Sequence, residues 1–401
     1  MPRSAGIRPL PPVTVALVTP ASGAAVPSGA VPARYDVAIV GAGIVGLAHA
    51  WRAVRAGLKV VVLERDEYAA GASIRNFGHI CTSAQSGPAY DYALRARGEW
   101  LALGADAGIP VSTAGTVAVA RRLEELAVLE EFVGERSDDN VLLTAAQLAD
   151  KLGFAPVDAL GGAWLRLDLR VDAPSAVPAF AAHLARLGVE FRYRANVLGV
   201  ESGRVVTARA EVTADRVIVA VGHDVDRLFP GIADEHGVVR CRLRMIEADA
   251  PAGVTVDPGV FTGTSLLRYD AFSRTAAAAA LRDALDREAP ELGEHGVNLM
   301  FTQRLPHSDA AGRLVLGDTH HYGLTESPFD DEASDELLLA RFRELLGVRE
   351  LVVRRRWRGV YASSPNGPYL VASPAPGVTA VSVTSGIGMT TALGLAASVL
   401  D

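Results

Sequence analysis

A short glycine-rich segment carries the most specific chemical signal in the chain. It reads Gly41-Ala42-Gly43-Ile44-Val45-Gly46, after a β-branched run and before an amphipathic helical pattern. In such a turn Gly41 permits the sharp bend, Gly43 lets a pyrophosphate approach the backbone, and Gly46 lets helix and strand touch. The helix N-terminus offers N–H groups to phosphate, and Glu64, ending the next predicted strand, would bind ribose hydroxyls. The spacing predicts a dinucleotide site.

The segment after Glu64 extends this pattern. It contains Gly71-Ala72-Ser73 and then Arg75-Asn76-Phe77-Gly78-His79-Ile80. This stretch resembles the flavin-binding signature of the D-amino-acid oxidase superfamily, which includes glycine oxidase and sarcosine oxidase. In that family the segment runs from the ribose toward the isoalloxazine ring, so the resemblance implies FAD. The implied cofactor contacts in this segment are Arg65, Ser73, Asn76, Phe77, Gly78 and His79.

The resemblance continues in the same order through residues 34–401. It includes Arg170-Val171-Asp172, the strand with Val197, Ala220-Val221-Gly222, and Trp357 and Gly359 with Pro368. The closing run, Gly386-Ile387-Gly388-Met389-Thr390, resembles the family's last flavin loop, where a helix N-terminus stabilises negative charge on the reduced ring. The implied cofactor contacts in these later segments are Val197, Gly222, Gly386, Gly388, Met389 and Thr390.

The resemblance implies an oxidoreductase that acts on a carbon–nitrogen bond. A hydride leaves the carbon next to an amine nitrogen, water hydrolyses the imine, and flavin carries the redox chemistry. The run from Ser73 to Gly78 resembles a branch associated with phosphonate metabolism, which implies an aminophosphonate such as 2-aminoethylphosphonate or an N-alkyl derivative. The alternative is an amino-acid or sarcosine-type oxidase or dehydrogenase acting on a carboxylate amine. An NAD-dependent dehydrogenase and a noncatalytic flavoprotein are further alternatives.

Two departures from the sarcosine oxidases concern how FAD is held and reoxidised. Those enzymes tether FAD through a cysteine in the C-terminal half and activate oxygen with a lysine. Here we expect neither Cys81 nor Cys241 to lie near the C-terminal glycine loop, and the lysines are Lys59 and Lys151. We therefore predict noncovalent FAD, with oxygen as the acceptor and a quinone or carrier protein as the alternative.

Arginines are the expected anchors for the anion of the substrate, because a guanidinium pairs with two oxygens at once. The motif places Arg75 beside the flavin, and alternation along a strand puts Arg242 and Arg244 on one face. For every candidate except Arg75, an ordinary solvated surface position is the alternative. The candidate anchors are Arg75, Arg242, Arg244, Arg268 and Arg304, and Tyr269 and Trp357 complete the predicted substrate-binding set.

The run Asp318-Thr319-His320-His321-Tyr322 concentrates titratable groups at the end of a predicted strand. Neighbouring residues on a strand face opposite ways, so at most one of His320 and His321 can line the same pocket. A histidine there would deprotonate an ammonium substrate or bind a phosphonate, and a surface turn is the alternative. His79 is predicted to pack against the ring or promote reaction with oxygen. The catalytic candidates are thus His79, His320, His321 and Arg75.

These residues require a fold that brings distant segments together. Strand, glycine turn and helix recur at both ends of the chain, which predicts an α/β, discontinuous Rossmann-like FAD-binding domain from residues 34–85, 170–235 and 355–401. Runs of strands predict an inserted α+β, antiparallel-sheet substrate domain in residues 86–169 and 236–354. The predicted strands of this domain are 113–120, 163–171, 238–247, 260–269, 298–305 and 313–318, with helices at 273–287 and 335–346.

Composition limits the partners. The chain has 401 residues, 49% of them hydrophobic, and a net charge of −7, so it has no global attraction for nucleic acid or anionic membranes. No apolar stretch reaches the roughly 18 residues of a membrane-spanning helix, and the cysteine spacing fits neither a disulfide framework nor a metal site. We expect a cytoplasmic enzyme of undetermined oligomeric state, with a disordered extension at residues 1–33.

Overall fold

The computed structural model describes residues 34–400, and the extension predicted at residues 1–33 lies outside them. No helix within the described residues is long and apolar enough to cross a membrane. The strands are β1 (Arg34–Val40), β2 (Val60–Leu63), β3 (His79–Ile80), β4 (Val111–Ser112), β5 (Thr116–Ala120), β6 (Asn140–Thr144), β7 (Gly161–Leu165), β8 (Leu169–Val171), β9 (Glu190–Arg192), β10 (Val197–Glu201), β11 (Arg204–Thr207), β12 (Glu211–Val219), β13 (Val239–Ala248), β14 (Gly259–Phe261), β15 (Val297–Gln303), β16 (Leu314–Gly323), β17 (Val353–Ser363), β18 (Tyr369–Ala375) and β19 (Val378–Val383). The α-helices are α1 (Ile44–Arg55), α2 (Gly87–Ala107), α3 (Leu123–Glu135), α4 (Ala145–Leu152), α5 (Ala173–Arg186), α6 (Val225–Leu228), α7 (Pro230–Glu235), α8 (Gly263–Arg268), α9 (Asp270–Ser273), α10 (Ala278–Glu288), α11 (Pro290–Glu294), α12 (Glu332–Leu346) and α13 (Gly388–Leu400).

A mostly parallel sheet forms the first half of the fold. Its order is β10, β11, β12, β1, β2, β9, with β19 beside β12 and β18 beside β19. β1 runs parallel to both β2 and β12, and β12 runs parallel to β19. β1 and β2 are almost continuous aliphatic runs because both of their faces are buried. β1 therefore delivers the glycine turn to the carboxyl edge of the sheet, where such sheets bind ligands.

A second, mostly antiparallel sheet forms the other half, in the order β17, β13, β16, β15, β14, β5, β7, β6. Helix α12 covers one of its faces, where Phe342 meets Phe301 edge to face with ring centroids 5.9 Å apart. A small third sheet of β3, β8 and β4 carries His79. This mixture of a parallel and an antiparallel sheet is the predicted architecture.

Three predicted elements are wrong in detail. The strand predicted at 260–269 ends after Phe261, and helix α8 follows it. There Leu266 enters the core while the Ser265 hydroxyl hydrogen-bonds Asn298, so burial at helical spacing overrides the strand pattern. The strand predicted at 163–171 is two strands, β7 and β8, in different sheets. The helix predicted at 273–287 is divided into α9 and α10.

Helix α2 is the largest element that the sequence did not predict. It contains 21 residues, and its buried Trp100 and Leu103 belong to the same core as β1 and α1. Trp100 Nε1 donates a 2.8 Å hydrogen bond to the Met389 carbonyl oxygen, just inside α13. The predicted domain boundary at residue 86 therefore separates α2 from the core in which it packs. The division into two domains otherwise stays a prediction.

Backbone contact between α2 and α13 generates the first testable prediction. A Cβ at Gly394 would lie 2.1 Å from the Tyr92 carbonyl oxygen, so Gly394→Ala must push the helices apart. We expect the free energy of unfolding to fall by roughly 1–3 kcal/mol, measured by urea unfolding. The control is Gly98→Ala on the exposed face of α2, where a Cβ meets open space and stability should rise by roughly 0.5–1 kcal/mol. Equal stability of Gly394→Ala and the wild type would disprove the backbone contact.

Candidate active site

A cavity of about 500 Å³ lies where segments of the two large sheets meet. One part of its lining is the glycine turn after β1, the segment 69–79, and the ends of β12 and β19. The other part, which we call the charged end, is formed by Arg268, Tyr269, Asn298, Asp318, His320 and Tyr361. The cavity thus brings together the two halves of the predicted site.

The glycine turn has the geometry that its residues require. Gly41 has φ of +103°, and a Cβ there would lie 2.4 Å from the Ala220 carbonyl oxygen. A Cβ at Gly46 would lie 1.9 Å from the Gly41 carbonyl oxygen, so α1 starts in contact with the end of β1. Gly43 lines the cavity with its backbone exposed to it. A side chain at Gly41 or Gly46 would force the strand and the helix apart.

Two side chains from later segments bind this turn. Glu64 is buried, and its carboxylate accepts hydrogen bonds from Ala42 N at 2.9 Å and Asp66 N at 3.0 Å. The Ser73 hydroxyl accepts a 2.9 Å hydrogen bond from Ile44 N, in the first turn of α1. Glu64 thus fixes the turn at Ala42 before the helix, and Ser73 binds an N–H group that the helix leaves unpaired.

The segment after Ser73 is shaped by hydrogen bonds between the Asn76 side chain and the backbone of the same segment. The Asn76 amide donates to the carbonyl oxygens of Ala72 and Ser73 and accepts from Gly78 N, all within 3.0 Å. Gly78 has φ of +69°, and a Cβ there would lie 1.8 Å from the Val171 carbonyl oxygen. Asn76 and Gly78 therefore fix the path that brings Phe77 and His79 to the cavity.

His79 is buried between polar and aromatic neighbours. Its ring centroid lies 4.8 Å from that of Phe261, its Nε2 contacts the Thr116 hydroxyl, and Nε2 lies 3.5 Å from an Asp168 carboxylate oxygen. The Nδ1 atom has no hydrogen-bond partner among the described residues. The ring is thus held in place with one nitrogen unpaired.

The C-terminal glycine loop lies against Cys81, which corrects a prediction. The Thr390 hydroxyl accepts a 3.2 Å hydrogen bond from Cys81 N, and its oxygen lies 3.4 Å from the Cys81 sulfur. Cys81 also lines the cavity, whereas the sequence placed both cysteines away from this loop. Burial raises the pKa of the Cys81 thiol to about 12, so it stays protonated at neutral pH. Residues far apart in sequence meet here through the packing of α13 against the segment after β3, which the sequence does not reveal.

Arg268 is the cation of the charged end. Its guanidinium donates to the Tyr361 hydroxyl at 2.6 Å and to the Tyr322 hydroxyl at 3.3 Å. Among residues 34–400 no carboxylate oxygen lies within 4.0 Å of it. Burial lowers the pKa of Arg268, but the phenolic oxygens and the Asp318 carboxylate outweigh this effect and raise it overall. Arg268 therefore presents a permanent, half-buried positive charge to the cavity.

Asp318 and His320 lie on the same face of β16, and both line the cavity. The Asp318 carboxylate accepts a 3.1 Å hydrogen bond from the Asn298 amide. Burial raises the pKa of Asp318 to about 7, although Arg268 and the Asn298 hydrogen bond oppose the shift. Burial, aided by Arg268, lowers the pKa of His320 to about 3. At neutral pH His320 is therefore uncharged, and Asp318 is the group that titrates.

The lining at the glycine end fits FAD. The glycine turn leaves the backbone open to a pyrophosphate, and Glu64 lines the same cavity with a fixed carboxylate, the group that this motif uses to bind a ribose. The N-terminus of α13 reaches the cavity at Gly388. A sequence model described as "FAD dependent oxidoreductase" matches residues 36–401. The chain belongs to this family. Its predicted fold and FAD cofactor are thereby confirmed.

Individual relatives of this FAD-dependent oxidoreductase are distant. One of the subunits of opine oxidase from Rhizobium meliloti is 28% identical over 218 residues, 49% of this chain and 58% of that protein. The match thus spans little more than half of that relative. Glycine oxidase from Geobacillus kaustophilus has a TM-score of 0.71 at 20% identity, covering 92% of this chain and 94% of that one. Iminodiacetate oxidase from Chelativorans sp. BNC1 has a TM-score of 0.69 at 17% identity, covering 90% and 93%. Both structures show a shared fold.

Most predicted site residues lie at this cavity. Gly46 and Gly78 act through backbone contacts behind it, and Arg65 pairs with Asp224 at its rim. The predicted residues that line the cavity are Gly41, Gly43, Ile44, Val45, Glu64, Arg65, Ser73, Arg75, Asn76, Phe77, His79, Val197, Gly222, Arg268, Tyr269, His320, Gly386, Gly388, Met389 and Thr390.

The predicted anion anchors on β13 lie elsewhere. Arg242 and Arg244 do share a face, but Leu243 between them lines the cavity, so their face is the opposite one. Arg244 pairs there with Asp330 and Asp335, and the guanidinium of Arg242 also lies beside Asp330. The prediction that Arg242 and Arg244 anchor the substrate fails because alternation shows only which residues share a face of the strand. It does not show which of the two faces α12 covers.

Three further predicted site residues also lie outside the lining of the cavity. His321 is the cross-strand neighbour of Arg242, which places it on the outer face of β16. Arg304 forms ion pairs with Asp172 and Glu247. Trp357 donates from Nε1 to the Arg75 carbonyl oxygen at 3.1 Å and does not line the cavity.

The sequence did not single out Asp318, Asn298 and Tyr361 as residues of the candidate site, although all three line the cavity. Asp318 stands two positions before His320, so the alternation rule would have placed both on one face. Asn298 and Tyr361 carried no comparable signal, because each reaches the cavity through the pairing of distant strands.

The bonds of Glu64 generate a prediction for cofactor binding. Glu64→Gln must place an amide NH₂ near a backbone N–H and loses a charged acceptor for the ribose. We expect the dissociation constant for FAD to rise roughly 10- to 100-fold, measured by titrating the apoprotein and following flavin fluorescence. Glu67→Gln, at an exposed position outside the cavity, is the control and should leave it unchanged. Equal affinity in the Glu64→Gln protein would remove Glu64 from the cofactor site.

Proposed function

We propose that this FAD-dependent oxidoreductase oxidises the carbon–nitrogen bond of a small amine that carries an anionic group. The observation that carries this proposal is the half-buried Arg268 guanidinium, which lines the cavity and whose hydrogen-bond partners are tyrosine hydroxyls. An arginine in that position pairs with a carboxylate or phosphonate through two oxygens at once. The names of the relatives support the same chemistry, because opine oxidase, glycine oxidase and iminodiacetate oxidase all denote acidic amines.

Comparison of the arginines that line the cavity favours Arg268 as the anchor. Arg65 and Arg227 both pair with Asp224. The Arg75 side chain is exposed, and its guanidinium donates to the Arg358 carbonyl oxygen at 3.4 Å. Arg268 is half-buried and has no carboxylate partner within ion-pair distance among the described residues. Arg75 is thereby left a role at the rim.

The bound FAD supplies the hydride acceptor in this reaction. The chain supplies an anchor for the substrate's anion and a wall of Phe77, Leu243 and Met300 that limits water at the carbon being oxidised. Pairing of the substrate's anion with Arg268 restricts the bound substrate to one orientation. Hydride transfer is faster because the reacting groups are then held together.

Two classes of anion satisfy this proposal. A carboxylate suits the single guanidinium of Arg268, and the negative charge available to Asp318 disfavours a dianion such as a fully ionised phosphonate. The aminophosphonate alternative rests on the run from Ser73 to Gly78, in which Asn76 and Gly78 fix the loop. We therefore place an amino-carboxylate first and an aminophosphonate second.

Anaerobic bleaching of the flavin absorbance at about 450 nm tests the proposal against glycine, sarcosine, D-alanine, 2-aminoethylphosphonate and its N-methyl derivative. We expect the carboxylates to bleach it. Bleaching by the phosphonates alone would establish the second class, and bleaching by none would overturn the proposal. Peroxide formed on admission of air would identify oxygen, which we propose as the acceptor. Reduction of an electron-accepting dye without peroxide would identify a dehydrogenase.

The anchor itself is tested by Arg268→Lys. A lysine keeps the charge but loses the two-pronged contact, so KM for the bleaching amine should rise roughly 10- to 100-fold. Arg242→Lys, on the outer face of β13, is the matched control and should leave KM unchanged. A normal KM in the Arg268→Lys enzyme would exclude this arginine as the anchor.

We propose that FAD is held noncovalently. Both cysteines are free and buried, and burial raises the pKa of the Cys81 thiol to about 12 and that of Cys241 to about 11, so neither is a ready nucleophile. Acid precipitation should release yellow FAD into the supernatant. Flavin that stays with the precipitated wild-type protein but is released from a Cys81→Ser variant would show a covalent bond instead. Free thiols also suit the cytoplasmic location that we propose.

A further inference from the structure

The charged end holds two opposite charges that are not paired with each other. Arg268 and Asp318 both line the cavity, yet no oxygen of Asp318 lies within the 4.0 Å of an ion pair. Arg244, a buried cation on β13 of the antiparallel sheet, by contrast forms an ion pair directly with the Asp335 carboxylate. Two unlike charges separated across a cavity match a ligand that carries both charges itself.

We propose that Asp318 is the catalytic base that pairs with the ammonium group of the substrate and takes its proton. This inference rests on the proposed function, in which Arg268 holds the anion. In the step, an N–H bond of the ammonium breaks and an O–H bond forms on Asp318. The electron pair of the N–H bond stays on nitrogen as a lone pair. The product is a neutral amine, the form from which a hydride can leave.

The surroundings of Asp318 leave one carboxylate oxygen available. The Ser265 hydroxyl donates to the Asn298 amide oxygen at 2.8 Å, which turns the Asn298 NH₂ group toward Asp318 Oδ1. Asp318 Oδ2 lies 3.7 Å from His320 Nε2. His320 Nδ1 donates to the Gly296 carbonyl oxygen at 3.0 Å, so Nε2 of the neutral ring carries a lone pair. Oδ2 thus has no donor from either neighbour.

The other titratable groups that act on Asp318 do not neutralise it. Tyr269, just after α8, and Cys241 on β13 both act on Asp318, and burial raises the pKa of each above its ordinary value, so both stay protonated at neutral pH. Arg268 is the one cation that faces it among the described residues, and His320 stays neutral. The pKa of Asp318, about 7, lets the carboxyl give up and take a proton under ordinary conditions. A substrate ammonium would add a second positive charge and favour the carboxylate.

The variant Asp318→Asn tests the base in the holoenzyme. We expect kcat/KM for the bleaching amine to fall roughly 100-fold at pH 7. In the wild type, kcat/KM should rise with pH as Asp318 loses its proton. In Asp318→Asn the rising part of the pH profile should shift to the pH at which the free amine itself loses its proton in solution. The control is Asp330→Asn, which removes the same charge on the outer side of the sheet and should leave the pH profile in place.

Equilibrium binding separates this role from a structural one. The probe is the oxygen isostere of the amine, methoxyacetate for sarcosine or 2-hydroxyethylphosphonate for 2-aminoethylphosphonate. Without an ammonium the probe meets Asp318 as a like charge, so it should bind Asp318→Asn at least as tightly as the wild type. Wild-type binding of the probe should also tighten as the pH falls through 7, a measurement that needs no variant.

The outcomes distinguish the two proposals. If Arg268→Lys leaves probe binding unchanged, or no amine bleaches the flavin, the proposed function fails and this inference fails with it. If Arg268→Lys weakens the probe but Asp318→Asn keeps the wild-type pH profile, Asp318 is not the base and the proposed function stands. Weaker probe binding by Asp318→Asn, with no pH dependence in the wild type, would assign Asp318 a structural role and overturn the inference.

Discussion

The backbone contact between Gly41 and Gly46 is the constraint on which the cofactor site depends. Because neither residue has a side chain, α1 can start against the end of β1. A Cβ at Gly46 would lie only 1.9 Å from the Gly41 carbonyl oxygen. That contact fixes the N–H groups of Ala42 and Ile44, which Glu64 and Ser73 then bind. The acidic residue and the serine come from separate motifs, so one turn sets the position of both. The hydrogen bond of Glu64 and that of Ser73 therefore both depend on the geometry of this one turn.

The C-terminal glycine loop is held in place by packing against segments distant in the sequence. Trp100 binds the Met389 carbonyl oxygen, and Thr390 binds Cys81 N. Each of these is a buried hydrogen bond between segments from different parts of the chain, and leaving such a group unpaired costs about 1–3 kcal/mol. The loop can hold its shape only when α2 and the segment at Cys81 are folded against it. Cofactor binding and the stability of α2 are consequently linked.

The sequence predicted the parts of the site that depend on short-range chemistry. The turn, Glu64 and the segment up to His79 have residue types that a local backbone path demands, as the φ of +69° at Gly78 illustrates. The substrate side depends on which face of a strand is covered. Arg242 and Arg244 were assigned to the cavity because alternation is symmetric, and only the position of Asp335 on α12 shows that their face is the outer one. Helix α2 was missed because its polar residues obscure its apolar spacing.

Burying Asp318 fully and Arg268 in part without pairing them is unfavourable, since each charge loses hydration. Tyrosine hydroxyls compensate Arg268 in part, and Asp318 responds by shifting toward its neutral form. A ligand with an anion and an ammonium supplies both missing partners in one binding event. An amine without the anion leaves Arg268 unpaired, and an acid without the ammonium meets Asp318 as a like charge. We therefore propose that selection for a zwitterion arises from desolvation at these two fixed points, for any side chain that the apolar wall of the cavity can accommodate.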